Sequence, residues 1–254
     1  MSTSITSFTQ NAIVHSELNR LNNEIRVLLL QPSKDPVAQV RSCRKKVSLN
    51  DNPAFEALSY AWGDPTLVES ILLDDQEFKV TLSAWSALKA LRYDDRHRVL
   101  WIDAICINQD NLEERTAQLK LMGMIYQKAS SVRVWLGSAD DGDNDAVSIL
   151  KSMASTQGVQ DTLGYSKPDG KRNRMDQVQR FFARSWWERL WVVQEVALGQ
   201  QIIFQQGSKE LEYKELVAAY HTSDAYFREH LKGYSYGTYT FSRNTQRSKL
   251  SSWT

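Results

Sequence analysis

The chain has 254 residues, 42% hydrophobic and 24% charged, a balance ordinary for a globular protein long enough to bury a sizeable core. Its 31 basic residues against 30 acidic ones leave a formal net charge of +1, so no field argues for nucleic acid or an anionic membrane. The two cysteines, Cys43 and Cys106, make no disulfide framework. There is no apolar signal core and no window of roughly 20 apolar residues, so the expectation is a soluble, cytoplasmic protein without a membrane span.

Residues 1–22 are polar without a period and read as a loosely held lead-in. Residues 24–31 (EIRVLLLQ) form a strand that Pro32 closes, and 39–49 alternate basic and apolar residues as a half-exposed strand does. After a turn at 50–53, residues 55–60 (FEALSY) read as a core strand. It runs into Ala61-Trp62-Gly63-Asp64-Pro65, where Gly and Pro force a sharp turn. Residues 70–73 and 77–81, joined by Asp74-Asp75-Gln76, make a β-hairpin. Ser83 then caps a helix whose Trp85, Leu88 and Leu91 form one apolar stripe.

The next stretch, 99–109 (VLWIDAICINQ), is an apolar run interrupted by one acid and ending in two amides, and it reads as a fully buried strand. Asp103 is its anomaly, because a carboxylate there needs a partner or a place at the strand's carboxyl end, where open α/β sheets bind their ligands. A helix follows, with Asp110 as N-cap and Glu113 at the capping-box distance; Leu112, Leu119, Met122, Ile125, Tyr126 and Ala129 supply its buried face. Residues 131–137 (SVRVWLG) are the next strand, so strands and helices alternate from 55 to 137 in the order of a parallel sheet.

Residues 139–145 are an acidic loop lacking the register of a calcium-binding loop, and 146–153 a short helix. Residues 154–174 read as a loop, whose basic end, 167–174, is solvated, and 175–183 are helical. The helix predicted over 185–198 (SWWERLWVVQEVAL) starts with a capping box of Ser185 and Glu188 and ends at Gly199. It places Trp187, Trp191 and Glu195 at i, i+4 and i+8, so two indoles and a carboxylate share one face. Such a face suits a site that stacks a flat ligand and stabilises positive charge on it. It also suits two core indoles beside a Glu195 paired with Arg189 or another base. Strands at 201–206 and 211–213, a helix over 214–231 and a polar aromatic tail at 232–254 complete the chain. The histidines, His15, His97, His221 and His230, show no metal-ligand spacing, so no metal is expected, and Cys106 on a buried strand makes a poor nucleophile.

FEALSYAWGDP (55–65), LWIDAICINQDNLEERTAQLKLMGMIY (100–126), VWLG (134–137) and RLWVVQE (189–195) resemble the successive signature blocks of the HET domain, the fungal heterokaryon-incompatibility family. The domain so implied covers 24–231. The resemblance implies non-self recognition and regulated cell death after fusion of unlike fungal cells, with self-association or another incompatibility protein as partner.

A more distant resemblance is to TIR domains, which implies a flavodoxin-like parallel sheet flanked by helices, here with N-terminal strands, a β-hairpin insertion and a loop and helix insertion. FEALSY, VLWIDAICI and SVRVWLG resemble the first three TIR strands. The TIR pattern Ser-x-Trp-Cys-x-x-Glu is similar to residues 189–195, with Trp191 and Glu195 matching and Arg189 and Val192 standing in place of Ser and Cys. In enzymatic TIR domains that Glu is the catalytic residue of NAD+ cleavage. The resemblance therefore implies NAD+ as substrate, with no bound cofactor, and Glu195 stabilising the oxocarbenium-like ribose as nicotinamide leaves. Ser59, Trp62, Gly63, Asp64, Asp103, Asn108, Arg189 and Trp191 are the candidate ligand-binding residues, Trp62 and Trp191 by stacking and the acids and Asn108 by polar contacts. Each has a structural alternative: Trp62 in the core, Asp64 capping its turn, Asp103 a satisfied buried acid, Asn108 and Gln109 capping the next helix, and Glu114 and Arg115 as an ion pair.

Overall fold

Strand β1 (Glu24–Leu30) buries Ile25, Val27, Leu28 and Leu30 and is paired along both edges. It belongs to the first of two units in a computed structural model that describes residues 15–138, 145–163, 174–189 and 192–230, apart from the side chains of 163, 193 and 227–230. The first unit comprises Met1–Leu58 and Trp62–Ser130, the second Ser59–Ala61 and Ser131–Thr254.

In the first unit β1 is joined by β2 (Arg41–Ser48), the start of β3 (Glu56–Tyr60, whose Ser59 and Tyr60 belong to the second unit), β4 (Val68–Leu73), β5 (Gln76–Thr81) and β6 (Arg98–Trp101), in the order β5-β4-β2-β1-β6-β3. The sheet is mixed. β3 runs parallel to β6 and β2 to β4, but β1 is antiparallel to both β2 and β6. The predicted hairpin is β4 with β5, closed by a two-residue loop in which Asp74 and Asp75 have φ of 52° and 61°. Positive φ at both positions is the type I′ turn whose twist matches that of the strands it joins.

Helix α1 (Leu82–Leu91) buries Ala84, Ala87, Leu88 and Leu91. Thr81, two residues before the expected Ser83, caps it by accepting from the Ala84 N–H at 3.3 Å. The apolar run from 99 does not stay a strand. β6 ends at Trp101, and residues of α2 (Asp103–Cys106) form a short helical turn, with Asp103 Oδ1 accepting from the Ala104 N–H at 2.8 Å. Asp side chains compete in this way for nearby backbone donors, which pulls the chain out of the ladder.

Helix α3 (Leu112–Lys128) is capped by Asn111, not Asp110: its side chain accepts from the Glu114 N–H at 3.0 Å. The helix packs through Gln118, Ile125 and Tyr126, with the Tyr126 ring edge-on to Trp101 at 5.8 Å. Leu112 and Leu119, predicted to be buried, are 66% and 52% exposed. Gln118 instead turns inward and donates to the Glu24 carbonyl at 3.0 Å, which rotates the leucines outward.

Buried charge also holds this unit. The Arg26 guanidinium, 2% exposed, donates to both Glu114 oxygens at 2.6 and 3.0 Å and to the carbonyls of Cys106 and Ser16. Glu114 thus pairs with Arg26 and not with Arg115. Across β3 and β6, Arg98 forks onto Glu56 at 2.5 and 3.1 Å.

In the second unit β7 (Ser131–Trp135) runs parallel to β8 (Ile202–Gln206), which is antiparallel to β9 (Lys209–Glu212). Helices α4 (Ala146–Ser152), α5 (Thr156–Leu163), α6 (Arg174–Phe182), α7 (Val192–Leu198) and α8 (Tyr213–His230) accompany them. α5 lies where a loop is predicted. Its inward side is carried by Val159 and by Thr162, whose hydroxyl donates to the Gly158 carbonyl at 2.7 Å and so can be buried. The expectations for 1–14, for most of the acidic and basic loops and for the tail lie outside the described residues. Among the described residues no helix is long and apolar enough to cross a membrane.

Candidate functional site

The helix predicted over 185–198 is broken. Ser185–Glu188 form a single 3-10 turn, Arg189 is extended with φ −75° and ψ 135°, and helix resumes as α7 from Val192. Trp187 and Glu195 therefore do not share a helix face; Trp191 lies outside the described residues. The break has a chemical consequence. Six positions along an unbroken helix put two side chains about 120° apart around its axis, whereas here Arg189 Nη1 and Nη2 donate to the two Glu195 oxygens at 3.4 and 3.2 Å.

Glu195 is only 1% exposed, and its Arg189 partner 24%. A further donor comes from the end of β3, where the Ser59 hydroxyl donates to Glu195 Oε2 and in turn accepts from the Trp186 indole N–H at 2.6 Å. An indole N–H only donates, so it commits the single hydroxyl proton of Ser59 to the carboxylate. Hydroxyl and guanidinium both donate to Glu195, an arrangement that fits its ionised form.

Aromatic rings wall this cluster. Trp186 meets Trp187 edge-on at 4.9 Å, and Trp187 stacks on Phe204 at 5.4 Å with its own N–H bonded to the Phe181 carbonyl at 2.9 Å. Both indoles are core residues, at 1% and 3% exposure, with their faces filled by neighbouring rings.

The structure thus brings Ser59, Arg189 and Glu195 together in the second unit. In the first unit it joins Trp62 to Asp103, the indole N–H donating to Oδ2 at 3.2 Å. Trp62 is 45% exposed, so it is no core residue. Asp103 is half-buried at the start of α2, not within a strand. Gly63 has φ +72°, a turn conformation that side chains resist. Asp64 caps that turn, accepting from the N–H and hydroxyl of Thr66 at 2.8 and 2.7 Å; these bonds hold its carboxyl below the usual range. Asn108 accepts from the Asp110 N–H at 3.2 Å, while Gln109 donates to the Asp103 carbonyl at 2.9 Å. Both amides brace the loop before α3.

Sequence reasoning missed Trp186. The signal for it was Ser59 itself, since a hydroxyl inside an apolar core strand must find partners. Among the described residues, no group of three His, Cys, Asp or Glu side chains is placed to hold a metal.

No solved structure matches the chain. It is 30% identical over 240 residues to the Neurospora crassa protein named heterokaryon incompatibility protein 6, OR allele, a match covering 78% of this chain. The match spans 35% of that relative's length. Residues 55–195 match the family model described as heterokaryon incompatibility protein (HET), from the start of FEALSY to the carboxylate held by Ser59 and Arg189. With more than half its length in that match, the chain belongs to the HET family.

Proposed function

We propose that this chain acts in heterokaryon incompatibility, in fungal non-self recognition and regulated cell death, as a non-enzymatic signalling module that works by self-assembly or by binding another incompatibility protein. The observation that carries this reading is the enclosure of Glu195. A carboxylate that is to stabilise a ribosyl cation must reach its substrate, whereas this one is 1% exposed and accepts from Ser59 and Arg189. Its work is then to tie the end of β3 to α7 and to hold the chain broken at Arg189.

A second reading, NAD+ cleavage at the nicotinamide–ribose bond by Glu195, is favoured by one feature. Arg189 is 24% exposed, so a turn of that side chain is the shortest way to uncover the carboxylate. The two readings separate in one experiment. NAD+ is followed with the purified chain, free and crowded on a surface, beside Glu195→Gln, and cell death is scored on expression in a fungal host. The module reading expects death on expression and no NAD+ loss in either state. NAD+ loss that Glu195→Gln abolishes, with the fold intact by circular dichroism, would replace it with the enzyme.

A further inference from the structure

Leucines scattered singly on a surface need no explanation, but Leu112 and Leu119 of α3 are not scattered. They are 66% and 52% exposed, and at seven residues apart they lie two turns along the helix within about 20° of one line. Thr116 and Gly123 continue that line. Exposed Glu113 and exposed Lys120, also seven apart and opposite in charge, run along one flank of it. We propose that α3 is a homodimer surface, on which a second copy of this chain lays its own α3 antiparallel across a two-fold axis.

Charge self-complementarity is what selects a second copy as the occupant. A two-fold interface makes each contact twice, residue i of one copy meeting j of the other and j meeting i. With the axis between positions 116 and 117, Glu113 of one copy stands level with Lys120 of the other, on the same flank, and the pair recurs beyond the axis. The leucine stripe is centred one residue away from that point. Each Leu119 therefore enters between Leu112 and Thr116 of the other copy, and each Leu112 between Leu119 and Gly123, so that knobs meet gaps. The Thr116 hydroxyl adds no stranded donor, since it is turned back onto the Leu112 carbonyl at 2.7 Å. Glu113 also pairs with Arg20 at 3.0 Å, but those side chains are 80% and 58% exposed, and such a pair gives way easily.

The test is sedimentation equilibrium of the whole chain, as wild type, Glu113→Lys, Lys120→Glu, the double reversal and Leu119→Asp. All three positions are exposed, so each variant folds, which circular dichroism checks. The expected result is a concentration-dependent dimer that either single reversal weakens about tenfold, the lost pair being counted twice by symmetry. The double reversal restores it and Leu119→Asp abolishes it. A wild type monomeric at every concentration overturns the proposal. So does a dimer that the single reversals leave unchanged, or one that the double reversal fails to restore. A monomer that Leu119→Asp destabilises would assign the stripe to a cover within the chain, and overturns it too.

Discussion

Ser59 and Glu195 stand 136 positions apart in the chain and are joined by one hydrogen bond, in which the serine is the donor because the Trp186 indole already occupies its acceptor side. Removing the hydroxyl takes an acceptor from Trp186 and one donor from Glu195, which keeps Arg189, and both side chains are 1% exposed. Ser59→Ala should therefore lower the unfolding free energy by about 2–3 kcal/mol, beyond what loss of a single hydrogen bond explains. In urea titrations, Trp186→Phe combined with Ser59→Ala should cost less than the two single losses together, because each change already removes the Trp186–Ser59 hydrogen bond that the other removes. Strictly additive losses would show that the relay through Ser59 has no energetic reality.

Arg26 offers the same logic in the first unit with a full charge. It is 2% exposed, its Glu114 partner 12%, and the two share a bidentate contact. Burial pushes the Glu114 carboxyl up, but the Arg26 hydrogen bond, the Asn108 N–H and the Arg26 charge outweigh it and hold the group below its usual range. Removing one partner of such a pair leaves a buried charge uncompensated, at a cost of about 3–5 kcal/mol. Arg26→Met should lose about that much in denaturant titrations. Arg26→Met with Glu114→Gln should recover part of it, and a double variant as unstable as the sum would argue against the pairing.

What was legible in the sequence follows from how local each feature is. Strands β1, β3, β7 and β8 and the β4–β5 hairpin were readable because an apolar run and its turn residues lie within a dozen positions. The break at Arg189 was not. Residues 185–198 carry a helical pattern throughout, and what accompanies its interruption is the bond of Glu195 to the Arg189 guanidinium and the distant one of Trp186 to a hydroxyl on β3. In α3 and at its C-cap, Ile125, Tyr126 and Ala129 face inward as expected, but a buried glutamine that donates to the Glu24 carbonyl stands where two leucines were expected. Arg189 could be named in advance as one candidate partner of Glu195 because only six positions separate them, whereas Arg26 and Glu114 are 88 apart.

His15 should contribute to the acid limb of stability. It lies 3.0 Å from Arg44, and burial first, then the charges of Arg44 and Arg26, lower its pKa from 6.5 to about 4; Glu114 and Asp110 pull weakly the other way. The folded state thus keeps the ring neutral while the unfolded chain takes up a proton below pH 6.5. Stability from this group is complete above pH 6.5 and is lost as pH falls toward 4, before protonation of Glu114 adds its own loss at lower pH. Urea midpoints measured from pH 7.5 to 4.5 should fall for the wild type, and His15→Gln should flatten the decline between 6.5 and 4.5. An unchanged slope in His15→Gln would assign the acid sensitivity to other groups.

Cys106 lies in α2 and not in a strand, and burial there still makes it a poor nucleophile. The thiol is fully buried and burial pushes it up to about 12; the Asp103 charge adds to this, against the Ile102 N–H that donates to Sγ at 3.4 Å and the charges of Arg26 and Arg44. Only the thiolate attacks an alkylating reagent, and at pH 8 it would be on the order of one part in ten thousand of Cys106. Cys43 on β2 is half-buried; burial and then Asp74 and Asp75 raise its pKa as well, so it reacts sluggishly but without unfolding. Iodoacetamide at pH 8 should therefore label one cysteine of the native chain slowly and the second only as fast as the chain opens. In rising urea the Cys106 rate should climb in step with the unfolded fraction while the Cys43 rate changes little. Mass spectrometry of the two peptides separates them, and native labelling of Cys106 at the rate of Cys43 would mean that α2 opens on its own, exposing Asp103 and the loop that Gln109 braces.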